Sequence, residues 1–282
     1  MSEKIFFDDE LNEHFLKNGF VKLRLTDDCD LDLLKLKIKE LQPEDRFLAT
    51  QKSPFYTPTF HATFFDLNDQ YRLDVLRIVQ SFFKSFLERN IKGYRIVMGN
   101  LFIKPPYTGA VSTHQNMTLV DEAKYTSISI WCPLLDTFFE NGTMCVVPGS
   151  HKKLAKFRSD AISWPLQWYY ENEGKKDFVP INVSKGEVIV LDDSLVHYTP
   201  VNSTEYSRIV LHAIAIPKEA ELLYFEIQNG GQIVNKYIVD EFFWQLHKPG
   251  TSPKLSSKVS HMPNTDRCFI YQDYSFQKLL KF

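Results

Sequence analysis

"YRIVMGNLFIK", residues 94–104, marks the place where this chain changes character. Before it, "DQYRLDVLRIVQSFFKSFLERNI" (69–91) repeats Leu73, Leu76, Ile78, Val79, Phe82, Phe83 and Phe86 near a period of 3.6, which predicts an amphipathic helix. After it, the apolar stretches are short and rich in β-branched and aromatic residues: "TSISIWCPLL", "TMCVVPGS", "GEVIVLDDSLVHY" and "SRIVLHAIAIP". Turn signals separate them at Pro105-Pro106, Asn141-Gly142, Lys185-Gly186 and Asn202-Ser203. A helical front followed by evenly spaced strands predicts one α+β domain, mainly β. The expected sheet is a barrel or sandwich with helices packed on one outer face.

The flanks fit that plan. Residues 8–19 read as a short helix with Leu11, Phe15 and Leu16 on one side and Gly19 as its stop. "GFVKLRL" alternates like a strand, and residues 29–41 suggest a second helix carrying Leu31, Leu34, Leu36 and Ile38 among charges. "ELLYFEIQNGGQIVNKYIV" reads as a hairpin turning at Asn229-Gly230-Gly231. "DEFFWQLH" predicts a short closing helix, and residues 252–265 read as a loop. With no internal repeat, residues 1–282 are expected to form a single domain. Its parts are a mostly helical buttress (1–93), a barrel core (94–217) and a C-terminal hairpin and helix (218–282).

Composition narrows the function classes. Hydrophobic residues make up 44% of the 282 residues and charged residues 24%, as in an ordinary soluble protein. The 23 Phe, 13 Tyr and 4 Trp are first of all material for a core. A formal charge of −2 with no basic block argues against a nucleic-acid partner. The opening "MSEKIFFDDELNEHF" has no signal-peptide pattern, and no apolar run is long enough to predict a membrane span. Cys29, Cys132, Cys145 and Cys268 show no CxxC spacing and fit the reduced thiols of a cytoplasmic protein.

Three pieces could carry chemistry. His114 and Asn116 sit two apart, so an extended backbone would put them on one side. His197 follows "GEVIVLDDSLV", with Thr199 two residues on. Arg208, eleven residues after His197, opens "RIVLHAIAIP". Two imidazoles and a carboxylate on one face hold non-haem Fe(II) and leave positions open. An arginine fork pairs with a carboxylate in two-pronged fashion, and a threonine hydroxyl can assist it. Each piece has a plainer role: a lone histidine beside a strand is usually a hydrogen-bonded structural residue, HxN alone carries little signal, and a single arginine is usually a surface ion-pair partner.

Taken in order, the motifs resemble the phytanoyl-CoA dioxygenase family of Fe(II)/2-oxoglutarate oxygenases. "HQNMTLVDEAKYTSISIWCPLLD" resembles its HxD segment and following core strand. "ENGTMCVVPGSHK" is similar to its NG-turn, strand and PGSH motif. "KGEVIVLDDSLVHYTPVNST" resembles the strand bearing the distal histidine, and "SRIVLHAIAIP" the one bearing the 2-oxoglutarate arginine. The likeness covers roughly residues 95–217. It implies a double-stranded β-helix, or jelly-roll barrel, with helices buttressing one sheet. It implies that His114 and His197 bind iron, with Asn116 at the third ligand position. Arg208, assisted by Thr199, would hold the distal carboxylate of 2-oxoglutarate. Ser129 and Trp131, on one face of the core strand, become pocket candidates, as do Gln115, Asn100 and Phe102. His151 belongs to the turn motif and is not an expected ligand; Asp121 and Glu122 read as structural carboxylates. The partners implied are molecular oxygen and a small organic substrate, with hydroxylation of an unactivated C–H as the default outcome. The segment 152–180, with Trp164, Trp168, Tyr169 and Tyr170, reads equally as a lid over the barrel mouth or as a helix on the sheet exterior.

Asn116 departs from the family pattern, which has a carboxylate there. An amide oxygen brings no negative charge to Fe(II). Four outcomes fit: a weak amide ligand in a working site, a halide in the vacated position, a non-catalytic ligand-binding relative, or an introduced Asp→Asn change. No substitute carboxylate is expected from Asp121 or Glu122, and Asn116→Asp is expected to tighten metal binding.

Overall fold

The computed structural model describes residues 4–42, 60–152, 158, 172, 174–228, 233–248 and 260–263. Helix α1 (Asp9–Asn18) starts where the Asp8 side chain accepts from the Leu11 N–H. It stops at Gly19, whose φ of 82° lets the chain turn directly into β1 (Phe20–Arg24). Helix α2 (Leu31–Lys39) begins at the Asp30 cap. It buries Leu34, but Leu36, read from sequence as part of its apolar side, is 58% exposed. Two more elements close the front: β2 (His61–Ala62) and α3 (Asp69–Asn90).

Strand β3 (Tyr94–Lys104) follows the last turn of α3 and carries a glycine where the helix lies closest. A Cβ at Gly99 would come within 2.9 Å of the Leu76 backbone, so only glycine permits this approach. Gln245 locks the junction. Its side chain accepts from the Gly99 N–H and donates to the carbonyls of Gly99 and Arg72.

The remaining strands are β4 (Val111–His114), β5 (Ile128–Pro133), β6 (Met144–Val146), β7 (Val179–Ile181), β8 (Glu187–Asp192), β9 (His197–Thr199) and β10 (Arg208–Pro217). They form two antiparallel sheets. The larger has the order β1-β8-β5-β10-β3-β2 and the smaller β4-β9-β6-β7. The front therefore supplies both edge strands of the larger sheet as well as the helical buttress. A third sheet joins β11 (Leu223–Gln228), β12 (Ile233–Ile238) and β13 (Ser260–Pro263). The hairpin is thus present, although its turn at 229–231 lies outside the described residues. Part of the expected 252–265 loop is instead a strand, because β12 offers it an edge to pair with. Helix α4 (Phe243–Leu246) is the short closing helix.

Strand alternation sorts the large sheet into two faces. Ile128, Ile130, Cys132, Val188, Val190, Leu211 and Ala213 point outward onto Val75, Val79, Phe83 and Phe86 of α3. Each such buried Val, Leu, Ile or Phe side chain contributes about 1.5–3 kcal/mol. Trp131, Ile189, Leu191 and Val210 point inward and meet Met144 and Val146 of the smaller sheet. This is the two-sheet, helix-buttressed jelly roll expected from the sequence.

One expected strand is really two. "GEVIVLDDSLVHY" breaks after Asp192, whose Oδ1 accepts from both the N–H and the hydroxyl of Ser194. That turn carries the chain from the larger sheet into the smaller, so His197 opens β9 and does not end β8.

Cys29, Cys132 and Cys145 are free thiols; Cys268 lies outside the described residues, as do Trp164, Trp168, Tyr169 and Tyr170 of the expected lid. No helix among the described residues is long and apolar enough to cross a membrane.

The core also holds a pH-sensitive group. His61 is 1% exposed, with Nε2 2.7 Å from the Tyr71 hydroxyl, and burial pushes its pKa down to about 4. The unfolded ring takes up a proton near pH 6.5 and the folded ring does not, so stability falls as pH drops from 6.5 to 4. At about 1.36 kcal/mol per unit the loss from this residue is roughly 3 kcal/mol. Urea denaturation across that range should give a flatter stability profile for His61→Gln than for the wild type.

Candidate active site

The two candidate imidazoles face each other because their strands pair. Strand β4 pairs antiparallel with β9, and His114 is the direct cross-strand partner of His197. Their ring centroids lie 4.2 Å apart. Each Nδ1 stands against a backbone carbonyl two residues back: Ser112 at 2.7 Å for His114, Leu195 at 2.8 Å for His197. A carbonyl only accepts, so both Nδ1 atoms carry the proton and both Nε2 atoms keep a lone pair. Burial lowers the pKa of both rings, that of His197 most, with His114 beside it adding to the effect. Both are therefore held neutral, the form that binds a metal, and their orientation is fixed from behind.

Asn116 is the third member of the group. Strand β4 ends at His114, so position 116 lies beyond it, but the side chain still stands beside the His114 ring. Its Nδ2 donates to Asp193 Oδ1 at 2.8 Å and to Ser129 Oγ at 3.0 Å. Its backbone N–H donates to the Asp193 carbonyl. With both amide hydrogens used, Oδ1 is the atom left to face the imidazoles. Among the described residues, no third His, Cys, Asp or Glu joins His114 and His197 in a metal-holding group.

The other acids and the turn histidine have separate partners. Glu122 takes a two-pronged pair from Arg158, whose Nε also donates to the Asn116 carbonyl. Asp121 pairs at the surface with Lys124. His151 packs against Gly19 and sets its Nε2 3.3 Å from the Leu16 carbonyl, at the end of α1. Gln115 donates to the Ser194 carbonyl and so braces the β8–β9 turn.

Arg208 opens β10 with a fully buried guanidinium. Its Nε and Nη1 have no hydrogen-bond partner in the protein. Trp131 lies under it, the ring centroid 5.5 Å from Cζ, and so serves both the interior cluster and the arginine. Burial pushes the Arg208 pKa down to about 9, which leaves it a cation at neutral pH. A buried cation without a partner costs several kcal/mol, so the site is built for an anion.

Sequence reasoning missed Lys104. It is the cross-strand neighbour of Arg208, buried, and its Nζ donates to Thr199 Oγ1 at 2.7 Å and to the carbonyls of Thr199 and Pro200. Because Thr199 Oγ1 accepts from Lys104, its own hydrogen is free to be donated to a carboxylate. His212 was missed too. It faces inward four residues after Arg208, with Nδ1 3.4 Å from Asn100 Nδ2 and Nε2 3.1 Å from Ser129 Oγ. Phe102 packs edge-on against its ring. The inward i, i+2, i+4 spacing of Arg208, Val210 and His212 was a usable signal. Nothing in the sequence distinguished Lys104 from a surface lysine.

Comparisons with known proteins bear on the family and the fold. The chain is 33% identical over 107 residues to the phytanoyl-CoA dioxygenase domain-containing protein 1 homolog of Dictyostelium discoideum, covering 36% of this chain and 38% of that one. It is 30% identical over 118 residues to phytanoyl-CoA dioxygenase 1 of Oryza sativa subsp. japonica, covering 41% of each. The chain thus spans about two fifths of the length of these curated relatives. Among solved structures, EvdO2 from Micromonospora carbonacea var. aurantiaca, complexed with 2-oxoglutarate, superposes with a TM-score of 0.51 at 19% identity. That match covers 77% of this chain and 94% of EvdO2. HygX from Streptomyces hygroscopicus, with nickel, 2-oxoglutarate and hygromycin B bound, gives 0.52 at 16% identity, over 76% and 88%. These likenesses establish a shared fold. The sequence profile described as phytanoyl-CoA dioxygenase (PhyH) matches residues 25–210, so the chain belongs to that family.

Proposed function

We propose that the protein is a non-haem iron, 2-oxoglutarate-dependent oxygenase that hydroxylates an unactivated C–H of a small organic molecule. The observation that carries this reading is Arg208, a buried cation with open N–H donors packed over Trp131 of the interior cluster. The donor set fits a divalent metal: two imidazoles with their Nδ1 atoms anchored, and one amide oxygen. His114, His197 and Asn116 would hold Fe(II), and Arg208 with Thr199 would hold the distal carboxylate of 2-oxoglutarate. When bound, the metal and 2-oxoglutarate together supply oxygen activation coupled to decarboxylation of the keto acid to succinate.

The chain's own part is orientation and exclusion. Arg208 and Thr199 fix one end of the co-substrate, and Lys104 holds Thr199 in the donating orientation. Trp131, Val210 and Met144 keep the interior dry, which strengthens the arginine–carboxylate pair. Ser129 and Asn100 line the same interior through His212. The formal charge of −2 without a basic block favours a small molecule over a nucleic acid.

The test is succinate release by the purified chain given Fe(II), 2-oxoglutarate, ascorbate and oxygen. Succinate should form slowly without an added substrate and faster with a correct one. Tight 2-oxoglutarate binding with no succinate under any condition would replace this reading by a ligand-binding role on the same barrel.

A further inference from the structure

We propose that Lys104 is a positioning residue for the keto acid: it leaves Thr199 free to donate only while its own nitrogen is an ammonium, so the distal carboxylate binds together with a proton on Lys104. This rests on the 2-oxoglutarate reading above.

The lysine is confined. It lies fully buried at the end of β3, opposite Arg208. Its side chain passes between Gly109 and Gly142. An added Cβ at the first would come within 2.9 Å of Lys104 Cγ, and at the second within 3.2 Å of Nζ. There Nζ meets three oxygens: the Pro200 carbonyl at 2.6 Å, Thr199 Oγ1 at 2.7 Å and the Thr199 carbonyl at 3.1 Å. Carbonyls only accept, so two N–H groups are committed to them.

The third contact depends on charge. An ammonium has a third hydrogen, which goes to Thr199 Oγ1 and leaves the hydroxyl hydrogen for the ligand. A neutral amine has a lone pair in that place. The hydroxyl then donates back to Nζ, and Thr199 offers the ligand only oxygen lone pairs. A carboxylate is held by the first arrangement and repelled by the second.

The counter-charge for this proton comes from the ligand. Burial, with Arg208 adding to it, holds the Lys104 pKa well below its ordinary value. The other ionisable groups on this side are the Cys145 thiol of β6 and the Tyr198 phenol of β9. Burial pushes them up to about 11 and about 12, so both are neutral near pH 7. Among the described residues no carboxylate acts on Lys104. A carboxylate bound to Arg208 and Thr199 is then the nearest anion, and it raises the pKa of the lysine. Binding therefore takes up a proton from solvent at any pH between the free and bound values. Affinity is full below the lower value and falls as pH rises above it, by up to about tenfold per unit.

The experiment is anaerobic calorimetric titration of the Co(II)-loaded full chain with 2-oxoglutarate from pH 7 to 8.5, below the Arg208 pKa of about 9. Each pH is run in two buffers of different ionisation enthalpy, which counts the protons taken up, and melting curves confirm folding. Wild-type affinity should fall across the range, with proton uptake on binding. Lys104→Met should bind roughly tenfold or more weakly at pH 7, the usual effect of losing a charge-assisted hydrogen-bond network. Its profile should be flat and its proton uptake lost, which a merely structural role for the lysine does not predict. Thr199→Val should lose most of the pH dependence, because without a hydroxyl the proton no longer decides what the ligand meets. A flat wild-type profile, or a Lys104→Met profile as steep as wild type, overturns the proposal. If Lys104→Met does not fold, Thr199→Val decides, and a slope equal to wild type overturns it. Failure of wild type to bind 2-oxoglutarate, or full affinity in Arg208→Met, overturns the 2-oxoglutarate reading itself and the proposal with it.

Discussion

Replacing Arg208 with methionine should abolish useful 2-oxoglutarate binding and leave the apo protein as stable as before, or more so. The guanidinium is buried with Nε and Nη1 unpartnered, so the ligand-free protein bears a desolvated charge. Exchanging such a group for an apolar side chain of similar volume is often neutral or stabilising. The bound state loses a charged hydrogen-bond partner, at about 2–5 kcal/mol, or roughly a thirtyfold to several-thousandfold rise in Kd. Calorimetric titration with 2-oxoglutarate reads the first effect and urea denaturation the second. Arg208→Lys should recover little, because the flexible ammonium cannot reproduce the planar fork over Trp131. Unchanged 2-oxoglutarate affinity in Arg208→Met would remove the arginine from the site.

His197→Ala should lose metal binding almost completely, whereas His151→Ala should keep it. One of the two proposed imidazole ligands vanishes in the first variant, and the remaining His114 and Asn116 would not chelate a divalent ion tightly. In the second, the change falls at the end of α1, where His151 touches Gly19 and stands by the Leu16 carbonyl. Its cost should be in stability, on the order of 1 kcal/mol for one hydrogen bond and its packing. Metal content after gel filtration of equally folded samples separates the two. Loss of metal in His151→Ala alone would make the ligand set wrong.

The fold was legible because its signals are local. The 3.6 period of residues 69–91 gave α3, and Gly19 and the Asp8 cap bounded α1. Single-residue features of position were legible too, as in the alternation that put Ser129 and Trp131 on the inward face. What stayed hidden depends on pairing between distant segments. That β13 is a strand follows only from β12 offering it an edge. The break in "VIVLDDSLVHY" depends on the Asp192–Ser194 hydrogen bonds, which a run of apolar residues conceals. Asp193 reads as one of two turn acids in sequence; only the fold brings it to Ser129 and Asn116. Lys104 is likewise ordinary until β10 lays Arg208 beside it.

The direct pairing of His114 with His197 has a consequence for how such a centre can change over time. Both proposed ligands are set by one short ladder between β4 and β9, and both rings are steered by backbone carbonyls two residues back, Ser112 within β4 and Leu195 in the turn before β9. Carbonyls persist whatever side chains surround them. The residues that shape a substrate pocket can therefore diversify without disturbing the aim of the imidazoles. If the pair is the metal centre proposed above, its chemistry and its substrate recognition rest on separate parts of the structure, and one can change while the other is kept.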